Sequence, residues 1–402
     1  TSGLKRIRQG NRIRLLTILA GIWLFSLLAG GSPSVVRSAV MFSCIATGNA
    51  ISKTSSVYNS LAGSAFLLLA YNPYWLWDTG FQLSYSAVLS IIIFQSPVYG
   101  LLDLRNRMLV IVWKTCAVTI SAQILTTPVS IFYFHQFPLL FLLTNFIAIP
   151  LSSLILIFEI ALCLLAPFPF LAGLTGRLTG HLIYFMNMFV EFVDRLPNAN
   201  WRGLQISYFQ CLVMFIAIAA CFHFILSRKF IMLFTSLSAL AVFFSARTLS
   251  FYQAGLQEKL IIYNIPKQSA IELIRGRNAL FIADSGLLKN PQHIRFHILP
   301  SRILHRIERI AEHDHHKTDD LVFARNNFKM LRITGAVQLK NRVNVLIVSG
   351  NARGNIESLV RGVLPDRIVF DCSNSRMRIA SWLGECRKLG IPAWSVPDQG
   401  AF

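Results

Sequence analysis

The sequence holds 402 residues, of which 54% are hydrophobic and only 14% charged, with 31 phenylalanines and a mean hydropathy of +0.54. An average soluble domain carries roughly 25% charged residues, so a soluble globule throughout is excluded. So is an intrinsically disordered chain, which needs low hydrophobicity and high charge. The net charge of +20 is unevenly placed: residues 1–249 hold 16 Lys and Arg against 5 Asp and Glu, and residues 250–402 hold 22 against 13. This predicts a membrane domain over 1–249 and a basic soluble domain over 250–402, both suited to a polyanion or anionic lipid as neighbour.

The chain opens at Thr1 without the charged, apolar and small-residue succession of a secretory leader, and reads as a piece of a longer product. Cys44, Cys116, Cys163, Cys211 and Cys221 lie in apolar stretches as small hydrophobes. Cys372 and Cys386 stand in the soluble part, and no C-x-x-C occurs.

A membrane-spanning helix needs about 20 mostly apolar residues. Candidates run from Ile13 to Gly30, Val35 to Ile51, Ser55 to Ala70, Phe81 to Gln95 and Met108 to Pro128. Pro138 to Ala166 follows, either one span kinked at Pro150 or two shorter pieces. Lys5, Arg6, Arg8, Arg12 and Arg14 place the first end in the cytoplasm, and Tyr74, Trp75 and Trp77 form an interfacial loop expected outside. Leu178 to Val193 is apolar but carries His181, Asn187 and Glu191. If it spans, the segment Ile206 to Leu226 delivers Arg228 and Lys229 to the cytoplasm, and Phe230 to Ser245 leaves the soluble domain outside. If it lies flat, that side reverses. The charge rule favours the spanning reading, with about eight spans in all.

Polar groups within these runs are costly and usually face a bundle interior or a water-filled path. Arg37, Asp78, Gln82, Lys114, Gln123, Asn145 and Glu159 recur through the region. Each alone has a plain structural role, such as snorkelling at a helix end or, for Lys114 and Glu159, a mutual pair. Their number exceeds what an impermeable anchor needs, and Pro128, Pro150 and the Gly30 to Pro33 turn suit irregular backbone lining a cavity.

The stretch from Asp78-Thr79-Gly80-Phe81-Gln82-Leu83-Ser84-Tyr85 to Ala87-Val88 resembles a signature of the ComEC-type competence channel family, inner-membrane proteins of bacterial DNA uptake. Ser32-Pro33-Ser34-Val35-Val36-Arg37-Ser38, Asn145-Phe146-Ile147-Ala148-Ile149-Pro150 and Leu196-Pro197-Asn198 are similar to further segments of that family, in the same order. The residues themselves make physical sense. Asp78 suits the cap of a helix opening near Phe81, Gly80 admits a close backbone approach, and Gln82 and Ser86 share a helix face. A well-capped helix start alone accounts for them equally.

After Phe251 short apolar runs alternate with turns. Strands are expected at Leu260 to Ile265, Ala270 to Ile274, Ala279 to Ala283, Leu331 to Thr334, Val343 to Val348, Arg367 to Phe370 and Ala393 to Val396. Helices are expected at Arg302 to Glu312, Asn355 to Gly362 and Met377 to Leu389. The fold class is thus a polytopic α-helical membrane domain followed by an α/β domain. The opening runs of the latter resemble the metallo-β-lactamase-like domain that follows the channel in this family. That fold implies metal ligands, and a zinc site needs four or five donors. Glu312-His313-Asp314-His315-His316 departs from the expected spacing, with Lys317 and Thr318 where Asp and His belong, and Pro266-Lys267-Gln268-Ser269 replaces a Gly-rich turn. A degenerate domain with no metal, no cofactor and no catalytic residue is expected, with Asp371, Ser373 and Asn374 marking a residual pocket or a strand-end turn.

The resemblance implies an inner-membrane channel subunit moving single-stranded DNA into the cytoplasm during natural transformation. Its path is expected to involve Arg37, Asp78, Gly80, Gln82, Ser84, Lys114, Asn145 and Glu159, with Arg37 meeting phosphate and Tyr85 and Trp77 offering stacking faces. Expected partners are the DNA strand, membrane lipid, further copies of the chain and other competence proteins. These include a separate ATP-driven motor, since no G-x-x-x-x-G-K-[ST] loop is present. The competing readings are a membrane-anchored metal-dependent nuclease or hydrolase, and a transporter of small solutes or lipids.

Overall fold

A computed structural model describes residues 2–51, 56–315, 321–325, 328–334, 341–360 and 363–402. It divides into two compact units, Thr1–Phe243 and Phe244–Phe402.

In the described residues the first unit is built from α1 (Ser2–Leu28), α2 (Pro33–Ile51), α3 (Val57–Tyr71), α4 (Thr79–Tyr99), α5 (Arg107–Phe134), α6 (Phe141–Leu165), α7 (Pro169–Arg195) and α8 (Tyr208–Ser227); α9 (Phe230–Leu256) crosses the division. Local chemistry sets the ends. Asp78 and Asn106 accept the Phe81 and Met108 amides at the starts of α4 and α5, and Ser207 with Gln210 forms a capping box on α8. Such contacts satisfy amide donors that lack a partner within the helix. At the other ends, His135 and Arg228 take left-handed backbone angles, closing α5 and α8.

Among the described residues five helices, α4, α5, α6, α8 and α9, are long and apolar enough to cross a membrane. The apolar parts of α1 and α3, Ile13–Leu28 and Val57–Tyr71, are shorter. One expectation of broken backbone is corrected, since α5 continues through Pro128 to Phe134; of the two readings of Pro138 to Ala166 the single helix holds, with Pro150 inside α6. A proline removes one ladder hydrogen bond, but in an apolar environment a wider break leaves several backbone groups unsatisfied, so continuing the helix costs less. A short antiparallel pair, β1 (Gln136–Pro138) with β2 (Asn200–Arg202), ties the α5–α6 connection to the α7–α8 connection through Phe137 opposite Trp201.

The described residues of the second unit form two sheets. One has the order β3 (Glu258–Ile262), β4 (Ala270–Arg275), β5 (Asn278–Asp284), β6 (Arg309–His315). The other runs β11 (Ala393–Ser395), β10 (Val363–Phe370), β9 (Asn341–Val348), β8 (Phe328–Ile333), β7 (Leu321–Arg325), parallel except for the edge strand β7. Alternation along the strands creates three cores, because successive side chains point to opposite faces. Ile262, Ile271 and Ile282 meet Met330, Ile347 and Val369 between the sheets. Phe281 and Ala283 face the other way, with Leu287 of α10 (Ser285–Leu288) and Ile298. Chain passes there through α11 (Pro291–His293), a π-helical turn and α12 (Leu299–Leu304). Leu331, Leu346 and Phe370 bury the opposite face of the second sheet against α13 (Ile356–Leu359) and α14 (Arg376–Leu389). There Trp382 stacks on Phe370 at 5.4 Å and 20°. The short α15 (Val396–Gln399) follows β11. The result is four layers, helix, sheet, sheet, helix.

The helix expected over Arg302 to Glu312 is corrected. Arg306 takes φ 53° and ends the turn after α12, and Arg309–His315 is a strand parallel to β5. The spacing of Ile303, Ile307 and Ile310 imitates a helix face, but pairing along β5 wins because it satisfies a whole edge of backbone. Strand β7 is an addition to the strands expected from the apolar runs.

Candidate functional site

Two polar constellations stand out, one in each unit. In the first, α2 and α4 are clasped by charge. The Arg37 guanidinium, on a side chain only 7% exposed, donates to Asp78 Oδ1 at 2.6 Å. The same Asp78 oxygen accepts the Phe81 amide at 2.8 Å. One carboxylate thus caps α4 and neutralises a buried cation forty-one residues away. Gly80 makes room for this: a Cβ at that position would overlap the Arg37 guanidinium. Gln82 donates its amide to the Leu76 carbonyl at 2.9 Å, holding the 3₁₀ turn Pro73–Trp77 against the start of α4. On that turn Tyr74 and Trp77 are exposed. Phe81 is buried and packs on Tyr85 with ring centroids 4.4 Å apart, and Tyr85 shares a hydrogen bond with Ser64 of α3.

The structure therefore brings together Arg37, Asp78, Gly80 and Gln82, residues from two separate motif segments. Ser84 is half-buried farther along α4. Lys114 on α5 and Glu159 on α6 are exposed, and no ion pair joins them among the described residues; Asn145 on α6 is half-buried. Arg37 is buried, with its charge engaged by Asp78. Sequence reading missed Ser90. Its hydroxyl is fully buried, donates to the Ser121 carbonyl and accepts the Leu125 amide at 3.1 Å. It thereby bridges two ends of one turn of α5, a way of pinning α4 to α5. A cleft of about 1000 Å³ lies among α1, α2 and α3, with Ser43, Thr47, Asn59 and Ser60 among apolar lining residues.

In the second unit, the C-terminal ends of strands from both sheets converge. Arg332, 3% exposed, donates to Asp284 at 3.4 Å and to Ser349 Oγ at 3.1 Å. Ser349 in turn donates to Asp371 Oδ2. Asp371 also accepts from the Ser373 amide and hydroxyl, and Asn374 spans from Asp371 to the Val348 carbonyl. Complete burial pushes the Asp371 carboxyl above its usual range, opposed by hydrogen bonds from its serine neighbours and by the charge of Arg332. Asp371, Ser373 and Asn374 are thus more than a turn: they anchor a polar network. A signal for Arg332 was available, since it shares strand parity with Met330 and so occupies a core-facing position.

The zinc that a metallo-β-lactamase-like fold implies does not fit this corner. A divalent ion needs several convergent donors, whereas a permanent guanidinium cation already lies between the carboxylate sites, and no group of three His, Cys, Asp or Glu occurs among the described residues. The His313 to His316 cluster lies outside the described side chains. Cys372 and Cys386 are free, buried thiols. Burial pushes each up to about 11, so neither is a ready thiolate.

Comparison with known proteins agrees with both units. The Competence protein family matches residues 2–229, and the ComEC C-terminal domain family matches residues 260–402. A 143-residue stretch is 29% identical to ComE operon protein 3 of Bacillus subtilis (strain 168), covering 36% of this chain and 17% of that protein. No solved structure matches the chain. With the helical unit matched almost end to end and the sheets matched as its C-terminal companion, the chain belongs to the ComEC-type competence proteins.

Proposed function

We propose that the chain forms part of an inner-membrane path that moves single-stranded DNA into the cytoplasm during natural transformation. One observation carries the reading: the competence family match runs over residues 2–229, which hold four of the five membrane-length helices found among the described residues. A threaded strand needs a water-filled route with positive groups for phosphate. Lys114, exposed on α5, is the group offered to phosphate, while Asn145 and Glu159 line the same route from α6. The clasp of Arg37, Asp78 and Gly80, with Gln82 and Ser84 beside it on α4, is architectural: it holds α2 and α4 at a set spacing. The reading includes about eight spans and a C-terminal domain on the outer side, fed by DNA and lacking turnover of its own. The four-layer arrangement favours metallo-β-lactamase-like ancestry, with Arg332 standing where metal chemistry would require an open cation site. Energy is supplied by a separate ATP-driven motor among other competence proteins.

The test is uptake of labelled DNA in cells whose full-length parent protein has this membrane region intact or deleted, with external DNA scored separately. Loss of cytoplasmic DNA with external binding preserved supports the reading. Unchanged uptake overturns it.

A further inference from the structure

Near the end of α9 three guanidiniums converge on one ring. Arg247, one helical turn before Phe251, Arg277 between β4 and β5, and Arg306 after α12 place their guanidinium carbons 5.3, 5.0 and 4.1 Å from the Phe251 centroid. Glu308 pairs with Arg277, and Ser250 accepts from Arg306 Nε at 3.2 Å. Cation–π attraction draws each guanidinium to the ring, but the three repel one another. Burial, reinforced by the charges of Arg247 and Arg277, lowers the Arg306 pKa to about 10. The positive field extends to Lys259, whose Nζ lies 3.1 Å from His305 Nδ1. An anion entering this cluster relieves the repulsion.

The position along α9 identifies the anion. About 20 helical residues cross the hydrocarbon of a bilayer, so a span beginning at Phe230 reaches the headgroup boundary near Ser250, beside Arg247 and Phe251. Phosphate is the dominant anion at that depth. Apolar groups border the charges: Leu249, Tyr252 and Leu256 are exposed on α9, and Leu304 is exposed just before Arg306. A ligand with a phosphate and an apolar tail matches both features, whereas a nucleic-acid strand or free phosphate uses only the first.

We propose that Arg247, Arg277 and Arg306, gathered around Phe251, bind the phosphate of an anionic phospholipid headgroup, with Leu249, Tyr252 and Leu304 against its acyl region. Bound lipid would fix the point at which α9 leaves the bilayer.

The experiment is native mass spectrometry of the detergent-purified full chain with phosphatidylglycerol or phosphatidylcholine, for the unchanged protein, Arg247→Gln and Arg306→Gln. Phosphatidylglycerol is expected to bind the tighter, and Arg247→Gln to weaken it by about fivefold, the equivalent of one surface arginine, with phosphatidylcholine unaffected. Arg247 is only half-buried, so its variant keeps the test open if Arg306→Gln does not fold. Equal binding of the two lipids, or no effect of Arg247→Gln, overturns the proposal. Displacement of phosphatidylglycerol by equimolar inorganic phosphate assigns the site to soluble phosphate instead, and displacement by a single-stranded oligonucleotide assigns it to nucleic acid; either result overturns the lipid assignment.

Discussion

Replacing Gly80 by alanine sets two effects against each other. A helical Gly→Ala change stabilises by about 0.5 kcal/mol here, the low end of its range because Gly80 lies in the first turn of α4. Against it stands displacement of the Arg37 guanidinium, which the new Cβ would overlap. A fully buried ion pair broken on one side costs about 3–5 kcal/mol, and a surface pair contributes about 0.2–1 kcal/mol. With Arg37 at 7% and Asp78 at 45% side-chain exposure, solvent screening at Asp78 reduces the loss to about 2 kcal/mol. The net expectation for Gly80→Ala is a loss of about 1.5 kcal/mol. In an Arg37→Ala background the obstruction is gone, and the same substitution should stabilise by about 0.5 kcal/mol. Denaturant unfolding of the detergent-solubilised chain measures both legs of this cycle, and DNA uptake per unit of protein in cells carrying the same changes follows the functional consequence. Equal effects of Gly80→Ala in the two backgrounds would refute the clasp.

Further expectations follow from neighbouring geometry. Asp78→Asn keeps the cap on Phe81 and loses only the charge, so Asp78→Ala should be less stable than Asp78→Asn by about 1 kcal/mol, read in the same unfolding assay. Arg332→Ala leaves Asp284 and the Ser349–Asp371 chain without their cation and should cost about 3 kcal/mol in urea unfolding of the C-terminal unit; addition of Asp371→Asn should recover part of that loss. The raised Asp371 carboxyl contributes stability that is complete below the unfolded carboxylate pKa of about 4 and fades as pH rises through the folded value. Thermal unfolding of wild type against Asp371→Asn should therefore diverge above that range, and a pH-independent difference between the two would dismiss the burial argument. For topology, alkaline phosphatase fused after Phe402 should be active and a fluorescent protein fused there dark; the opposite pattern would mean that α7 lies along the membrane surface.

The membrane character of the first unit, the alternation of the strands and the start of α4 were legible in the amino-acid order, because apolar runs, two-residue periodicity and a cap such as Asp78 act over a few residues. The same short range misled at Arg302 to Glu312, where helix-like spacing yields to pairing with β5, and at Pro128, where the surrounding helix outweighs a local breaker. Only the tertiary structure decided that Arg37 belongs to Asp78, that Gly80 is small for the sake of Arg37, that Ser90 reaches into α5, and that Arg332 joins the ends of two sheets. Each of these joins residues distant in sequence, with the partners chosen by three-dimensional packing: a charge or hydroxyl read alone has many possible mates, and burial leaves it few.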